Sequence, residues 1–349
     1  MAKLSQPKIK YIILRVWDIN LSLQSICGYL ESFLITCHFT FLNIFIFAAQ
    51  NSRLNSNFTI TQEALSLARF KVKDIAILTK MRLASLVVLS ACLGYLLAAQ
   101  SIVWIDVFYL VVGGFLVTGS SNGFNQIIER DVDKLMDRTK NRPIPAGRMS
   151  IKEAFWISTL FGVLGIALLW FGLNPLSGIL GALALFVYVF IYTPLKKHGP
   201  IAVLAGAFPG AVPPMLGYVA ESGSFGLVAG ILFAVQFAWQ FPHFWSIAWK
   251  VNNDYNKANY YLLPTGLKDK TSSLIIVLSS LLLIPVSLIP FYLGIGGIGS
   301  GTVVLISGIA VLYYSVVLHL SHGEKSASKL MFSTFFYLPI VQLAYLISI

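Results

Sequence analysis

A chain of 349 residues that is 57% hydrophobic and only 11% charged carries too little polar surface to fold as a water-soluble globule. Its formal charge of +11 does not mark a nucleic-acid partner, because the bases fall in alternate connections between apolar runs, as expected of a membrane protein. Cys27, Cys37 and Cys92 have neither metal-type spacing nor an even count, which sets aside a zinc site or a disulfide framework.

Residues 1–70 are expected to be an N-terminal extension of unknown role, in which 33–49 could form one extra short apolar segment. The domain proper is expected to span 71–349. Within it, apolar runs long enough to cross the hydrocarbon core lie near 82–100, 103–123, 153–172, 175–193, 201–220, 226–248, 273–293, 300–320 and 329–348. The expected fold is therefore an all-α polytopic bundle of nine transmembrane helices in the lipid bilayer. Basic residues recur before the first run, in 125–152, at Lys196 and Lys197, in 250–270, and at Lys325 and Lys329; the connections near 101, 173, 221 and 296 contain none. By the positive-inside rule the basic loops face the cytoplasm and the C-terminus lies outside. Without an Arg-rich, acid-poor presequence, a bacterial cytoplasmic (inner) membrane is the expected location.

One polar connection stands out. Residues 125–145, NQIIERDVDKLMDRTKNRPIP, hold four acids and five bases. At 100° per residue, Asn125, Glu129 and Asp133 share one helical face, with Asp137 extending the stripe and Asp131 on another side. Like charges spaced i, i+4 are mildly unfavourable in an isolated helix. A divalent cation offsets that cost, and hard carboxylate and amide oxygens suit Mg²⁺ together with substrate phosphates. Arg138 and Arg142, with Lys134 and Lys140 nearby, supply cations for phosphate oxygens. The segment reads as a magnesium-diphosphate site at the end of the second span, and Pro143 and Pro145 stop the helix beyond it.

Further along, Tyr192 and Lys196 in IYTPLKK flank a proline break, where they suit either interfacial anchoring or contact with a diphosphate. GAFPGAVPP spaces Gly206 and Gly210 for close helix approach, and Pro209, Pro213 and Pro214 are expected to distort the fifth helix. In the sixth span, His243 lies behind Pro242 among Trp239, Phe241, Phe244, Trp245 and Trp249. It reads equally as a packed neutral imidazole or as part of a pocket for a large flat ligand such as a porphyrin. Asp254, in the connection that follows, is a candidate for a second metal ligand. No Walker or dinucleotide fingerprint accompanies these residues.

Asn125, Glu129 and Asp133, followed by RTKNRPIP, resemble the first signature of the UbiA-type intramembrane prenyltransferases, with Glu in place of the middle Asp. LTKMRLASLVV at 78–88, YTPLKK with GAFPGAVPPMLGY at 192–218, and WQFPHFWSIAW with DYNKA and LLP at 239–264 resemble the protoheme IX farnesyltransferase (heme O synthase) branch. The resemblance implies transfer of a farnesyl group from farnesyl diphosphate to a vinyl group of heme B, giving heme O for heme-copper oxidases, with hand-off to a heme A synthase or terminal oxidase. It implies Mg²⁺ held by Asn125, Glu129, Asp133 and Asp254. It also implies diphosphate held by Arg138 and Arg142 with help from Lys196 and Tyr192, and heme near His243 and Trp239. The second motif departs from the pattern of two acids four apart, since Lys250 and Ala258 flank Asp254 at that spacing. Rival readings are the same fold acting on a quinone precursor or chlorophyllide, and a transporter, for which paired charges in mid-span would be expected.

Overall fold

The computed structural model of the chain describes residues 71–348; the extension and its apolar segment at 33–49 lie outside them. Nine helices among the described residues are long and apolar enough to cross a bilayer. They are α1 (Met81–Ala98), α2 (Trp104–Ile128), α3 (Ile151–Gly172), α4 (Pro175–His198), α5 (Ile201–Ser222), α6 (Leu227–Lys250), α7 (Lys270–Tyr292), α8 (Ile298–Ser321) and α9 (Glu324–Ser348). Each matches a span expected from hydropathy, and only the ends differ.

The ends are set by local chemistry. Ser150 and Glu153 form a capping box before α3, while Asn174 and Asp269 cap α4 and α7 by accepting backbone N–H groups. Packing follows chain neighbours in part: α2 lies on α3, α8 lies between α7 and α9, and α6 lies on α5, α7 and α9. α1 packs on α2, α5 and α9, which draws the first and last spans together. Phe171, Leu320 and Trp156 are among the apolar side chains left facing outward, as lipid permits.

The fold specifies what the prolines and glycines of the fifth helix do. The fifth helix is not broken by its prolines; α5 runs as one α-helix through Pro209, Pro213 and Pro214. Pro214 has no N–H to give the Gly210 carbonyl, and the Gln236 amide of α6 donates to that carbonyl instead, at 2.9 Å. Gln236 Oε1 in turn accepts from Ser90 of α1 and Gln342 of α9, so one buried amide joins four helices. Gly206 and Gly210 also do something other than bring backbones together. A Cβ on Gly206 would strike the Tyr192 ring and one on Gly210 the Gln240 amide, so they seat side chains. Backbone contact falls instead to Gly94 of α1 and Gly217 of α5, where a Cβ would overlap the carbonyls of Pro214 and Ala91.

α4 is wound irregularly. It passes from α-helix into a π-helical stretch at Val187–Tyr192, just before Pro194. The backbone N–H of Thr193 reaches the Tyr188 carbonyl, and its hydroxyl donates to the same oxygen at 2.8 Å. Such bulges recur near functional sites, and this one adjoins the stripe on α2.

Candidate active site

The 125–145 segment does not form the continuous helix its spacing suggests. α2 ends at Ile128, Glu129 takes a near-bridge conformation (φ −88°, ψ 3°), and a short helix covers Arg130–Asp133. The i to i−4 backbone bonds nonetheless persist through the break, from Glu129 to Asn125 and from Asp133 to Glu129. The three side chains therefore stay on one face, and all are buried: Asn125 at 1%, Glu129 at 5% and Asp133 at 0% exposure. Asp137 does not join them. It is 62% exposed and pairs with Lys140 and Lys257, which hold its carboxyl down at about 2. Asp131 is likewise exposed, beside Lys134 and Arg130.

Each buried member has a definite partner. Arg142 Nη1 donates to both oxygens of Asp133, at 2.8 and 2.7 Å, and Thr139 donates to the Asp133 carbonyl. Lys196 Nζ, from the end of α4, donates to Glu129 Oε1 at 2.7 Å, and the Tyr260 hydroxyl reaches the same atom at 3.2 Å. Asn125 Nδ2 donates to Thr193 Oγ1 at 3.3 Å. Because that hydroxyl spends its only proton on the Tyr188 carbonyl, it must accept here, which fixes the Asn125 amide with Oδ1 toward Lys80 Nζ, 3.5 Å away.

The charges tune one another. Burial would raise Glu129, but Lys196, Lys80 and Arg142 outweigh it and hold its carboxyl below the ordinary value. For Asp133 burial prevails over Arg142, with help from Glu129, and the carboxyl is pushed up. Burial, with Arg142 and Lys196 close by, lowers the Lys80 ammonium to about 7. Lys80 also sits at φ 51°, ψ 55°, a left-handed conformation uncommon for a residue with a side chain. Burial pushes the Tyr260 phenol up, keeping it a donor to Glu129.

Set against the sequence expectations, Asn125, Glu129, Asp133, Arg142, Lys196 and Tyr192 are brought together, with Lys196 Nζ lying 4.6 Å over the Tyr192 ring. Arg138 is exposed and its guanidinium makes no hydrogen bond among the described residues. Asp254 is not part of the stripe. Its carboxylate accepts the backbone N–H groups of Asp137 and Arg138, at 3.4 and 3.2 Å, and pairs with Lys257. It thereby clasps the loop bearing Arg138 to the short helix Asn252–Lys257. Those N–H donors and Lys257 outweigh its desolvation and keep it below the ordinary carboxylate value. His243 and Trp239 lie within α6, and His243 Nδ1 meets Thr334 Oγ1 of α9 at 2.9 Å.

The donor set fits a magnesium ion. Two buried carboxylates and an oriented amide oxygen are hard ligands, too few to enclose the ion and suited to one that keeps waters or substrate phosphates. No group of three or more His, Cys, Asp or Glu residues is gathered for a metal among the described residues, which agrees with such an open site. Lys80, Lys196, Arg142 and Arg138 surround it with positive charge.

Comparison with known proteins decides the lineage. Residues 87–338 match the model of the UbiA prenyltransferase family. The chain belongs to that family. A protoheme IX farnesyltransferase of Christiangramia forsetii is 46% identical over 280 residues, covering 79% of this chain and 93% of that protein. One from Cytophaga hutchinsonii is 45% identical, covering 77% and 95%. Among solved structures, one described under the biosynthesis of digeranylgeranylglyceryl phosphate synthase in membranes shares the fold with a TM-score of 0.67 at 21% identity. It covers 79% of this chain and 97% of that one. A UbiA homolog from Archaeoglobus fulgidus, bound to GPP and Mg²⁺, has a TM-score of 0.56 at 14% identity and covers 78% and 99%.

In this member of the UbiA prenyltransferase family the stripe is bonded by residues that spacing does not single out. In the sequence Lys80 counts only as a topological base, although it lies in the LTKMR stretch that resembles the family. Thr193, within the YTPLKK stretch, and Tyr260 are not singled out by spacing; only the fold brings them to Asn125 and Glu129.

Proposed function

We infer that this protein transfers a farnesyl group from farnesyl diphosphate to a vinyl carbon of protoheme IX, giving heme O. The observation that carries the reading is the buried set Asn125, Glu129 and Asp133 at the end of α2, with Arg142, Lys196 and Lys80 bonded to it. The family and the 46% identity to a protoheme IX farnesyltransferase support the choice of acceptor. We propose residues 71–349 as the catalytic domain and 1–70 as an extension.

Asn125, Glu129 and Asp133 would hold Mg²⁺, which supplies charge neutralisation for the departing diphosphate. Arg138 and Lys80 meet the diphosphate oxygens, and Arg142 and Lys196 hold Asp133 and Glu129 in place while adding positive charge. Asp254 acts by positioning the Arg138 loop. The C–O bond at the prenyl C1 breaks with its electron pair leaving on diphosphate, and the apolar surroundings keep water from the allylic cation. The vinyl π electrons then form the new C–C bond, and water adds to the resulting cation and gives up a proton, leaving the hydroxyethylfarnesyl group. The basic loops support a site on the cytoplasmic side of a bacterial inner membrane, from which heme O passes to a heme A synthase or terminal oxidase.

Purified protein in detergent, given protoheme IX, farnesyl diphosphate and Mg²⁺, should yield farnesylated heme by mass spectrometry. Turnover of a phenolic acceptor with no heme product would favour an aromatic quinone precursor instead.

A further inference from the structure

The stripe does not offer its oxygens evenly. Lys196 Nζ and the Tyr260 hydroxyl both donate to Glu129 Oε1, at 2.7 and 3.2 Å. Oε2 of the same carboxylate accepts no hydrogen bond among the described residues, and the 5% of Glu129 that stays accessible includes that atom. On Asp133 both oxygens already meet Arg142. Asn125 has its Nδ2 tied to Thr193 Oγ1 at 3.3 Å, which leaves Oδ1 with only the long contact from Lys80 Nζ at 3.5 Å. Two oxygens on successive turns, Asn125 Oδ1 and Glu129 Oε2, are thus turned away from their neighbours and left open.

The two hydroxyls that turn them lie outside the stripe, and each is placed by an irregular backbone. Thr193 follows the π-helical stretch Val187–Tyr192, and its hydroxyl donates to the Tyr188 carbonyl at 2.8 Å. With that proton spent, Thr193 can only accept from Asn125; a hydroxyl free to donate would satisfy either end of the amide. Tyr260 follows Asn259, whose φ of 54° is left-handed. The turn brings the Tyr260 N–H back to the Tyr255 carbonyl at 2.9 Å and buries the phenol, 2% exposed, against Glu129. A carboxylate buried only for its ion pair would spread its two donors over both oxygens, because a bare buried oxygen is costly. Two donors on Oε1 with Oε2 bare is an arrangement that a further cation completes. Groups that orient a metal's ligands in this way typically carry 10–100-fold in its affinity.

We propose that Thr193 and Tyr260 are positioning residues for the divalent cation, Thr193 turning Asn125 Oδ1 and Tyr260 turning Glu129 Oε2 toward it. This rests on the reading of the stripe as a metal site and is independent of which acceptor is prenylated.

Equilibrium dialysis of the detergent-solubilised full chain against Mn²⁺, alone and with inorganic pyrophosphate, measures the cation held by the protein, with Asp133→Asn as the background. Thr193→Val and Tyr260→Phe should each weaken Mn²⁺ binding about tenfold, and Thr193→Ser should stay within about twofold of wild type. The Mg²⁺ concentration giving half-maximal turnover should rise in parallel, with the rate recovering at high Mg²⁺, which loss of structure would not allow. Asn125→Asp presents an oxygen at both positions, so in that background Thr193→Val should cost less than about twofold. Equal Mn²⁺ binding by wild type, Thr193→Val and Tyr260→Phe overturns the positioning roles while leaving the metal site standing. A loss in Thr193→Val that Thr193→Ser shares in full, or that is as large in the Asn125→Asp background, overturns the role of Thr193. Wild-type protein that holds no more Mn²⁺ than Asp133→Asn, with or without pyrophosphate, overturns both the roles and the metal reading.

Discussion

Arg142 grips Asp133 through a single guanidinium nitrogen that meets both carboxylate oxygens, at 2.8 and 2.7 Å, with Asp133 wholly buried. Removing the cation strands a buried carboxylate, which costs about 3–5 kcal/mol. Arg142→Ala should therefore lower the melting temperature of the detergent-solubilised protein and abolish turnover together. Arg142→Lys should recover much of the stability. A melting temperature unchanged in Arg142→Ala would show that the pair does not hold the site.

Asp133 and Asp137, four residues apart in sequence but separated by the fold, should respond differently. Asp133→Asn is expected to cut turnover at least about 100-fold, the scale of losing a charge-stabilising group in a site. Asp137, exposed and paired with Lys140 and Lys257, should tolerate Asn with turnover within about twofold of wild type. Steady-state rates of the two variants at saturating Mg²⁺ settle the contrast; comparable losses would place Asp137 in the site.

Lys80 gives the stability a pH dependence on the alkaline side. Its value falls from 10.5 unfolded to about 7 folded, so between these limits the unfolded chain binds the extra proton. Stability from this group therefore rises with pH from about 7 toward 10.5. Thermal melts across that range should show a rise for wild type that is flatter in Lys80→Met, and identical slopes would remove Lys80 as the cause.

On the acid side Glu129 acts with the reverse sense. Its folded value lies below the ordinary 4.5, so its contribution is complete above 4.5 and is lost as pH falls through the folded value. Lys196→Met removes the main cation responsible, and its melting temperature should fall less steeply below 4.5 than that of wild type. Parallel acid profiles for the two proteins would count against the Lys196–Glu129 pair.

Gly217→Ala should be destabilising, because its Cβ would overlap the Ala91 carbonyl across the α1–α5 contact; overpacking of this kind costs about 1–3 kcal/mol. Gly230→Ala, where nothing lies within 4 Å of the added carbon, serves as the matched control. Denaturation midpoints of the pair measure the difference.

The spans, their number and the Asn125–Glu129–Asp133 stripe were legible in the sequence because hydropathy and helical spacing are properties of neighbouring residues. That Glu129 interrupts the helix was not, since its near-bridge conformation leaves no mark in composition. That α5 runs unbroken through its prolines was not legible for a related reason: whether a proline breaks a membrane helix depends on a donor from elsewhere, here Gln236 of the next helix.

By itself, then, the sequence determined a membrane protein with nine spans between residues 81 and 348 and with the acid- and arginine-rich 125–145 segment at one membrane face, because burial in lipid and charge at its boundary are written residue by residue. The tertiary structure decided the rest. Lys196, Tyr260 and Thr193 reach the stripe from 67, 131 and 68 residues away, Asp254 turns from the stripe to a loop backbone, and Thr334 meets His243 across 91 residues. Such partnerships depend on which helices pack side by side, and a hydrogen bond between distant residues exists only once the fold has brought them within about 3.5 Å.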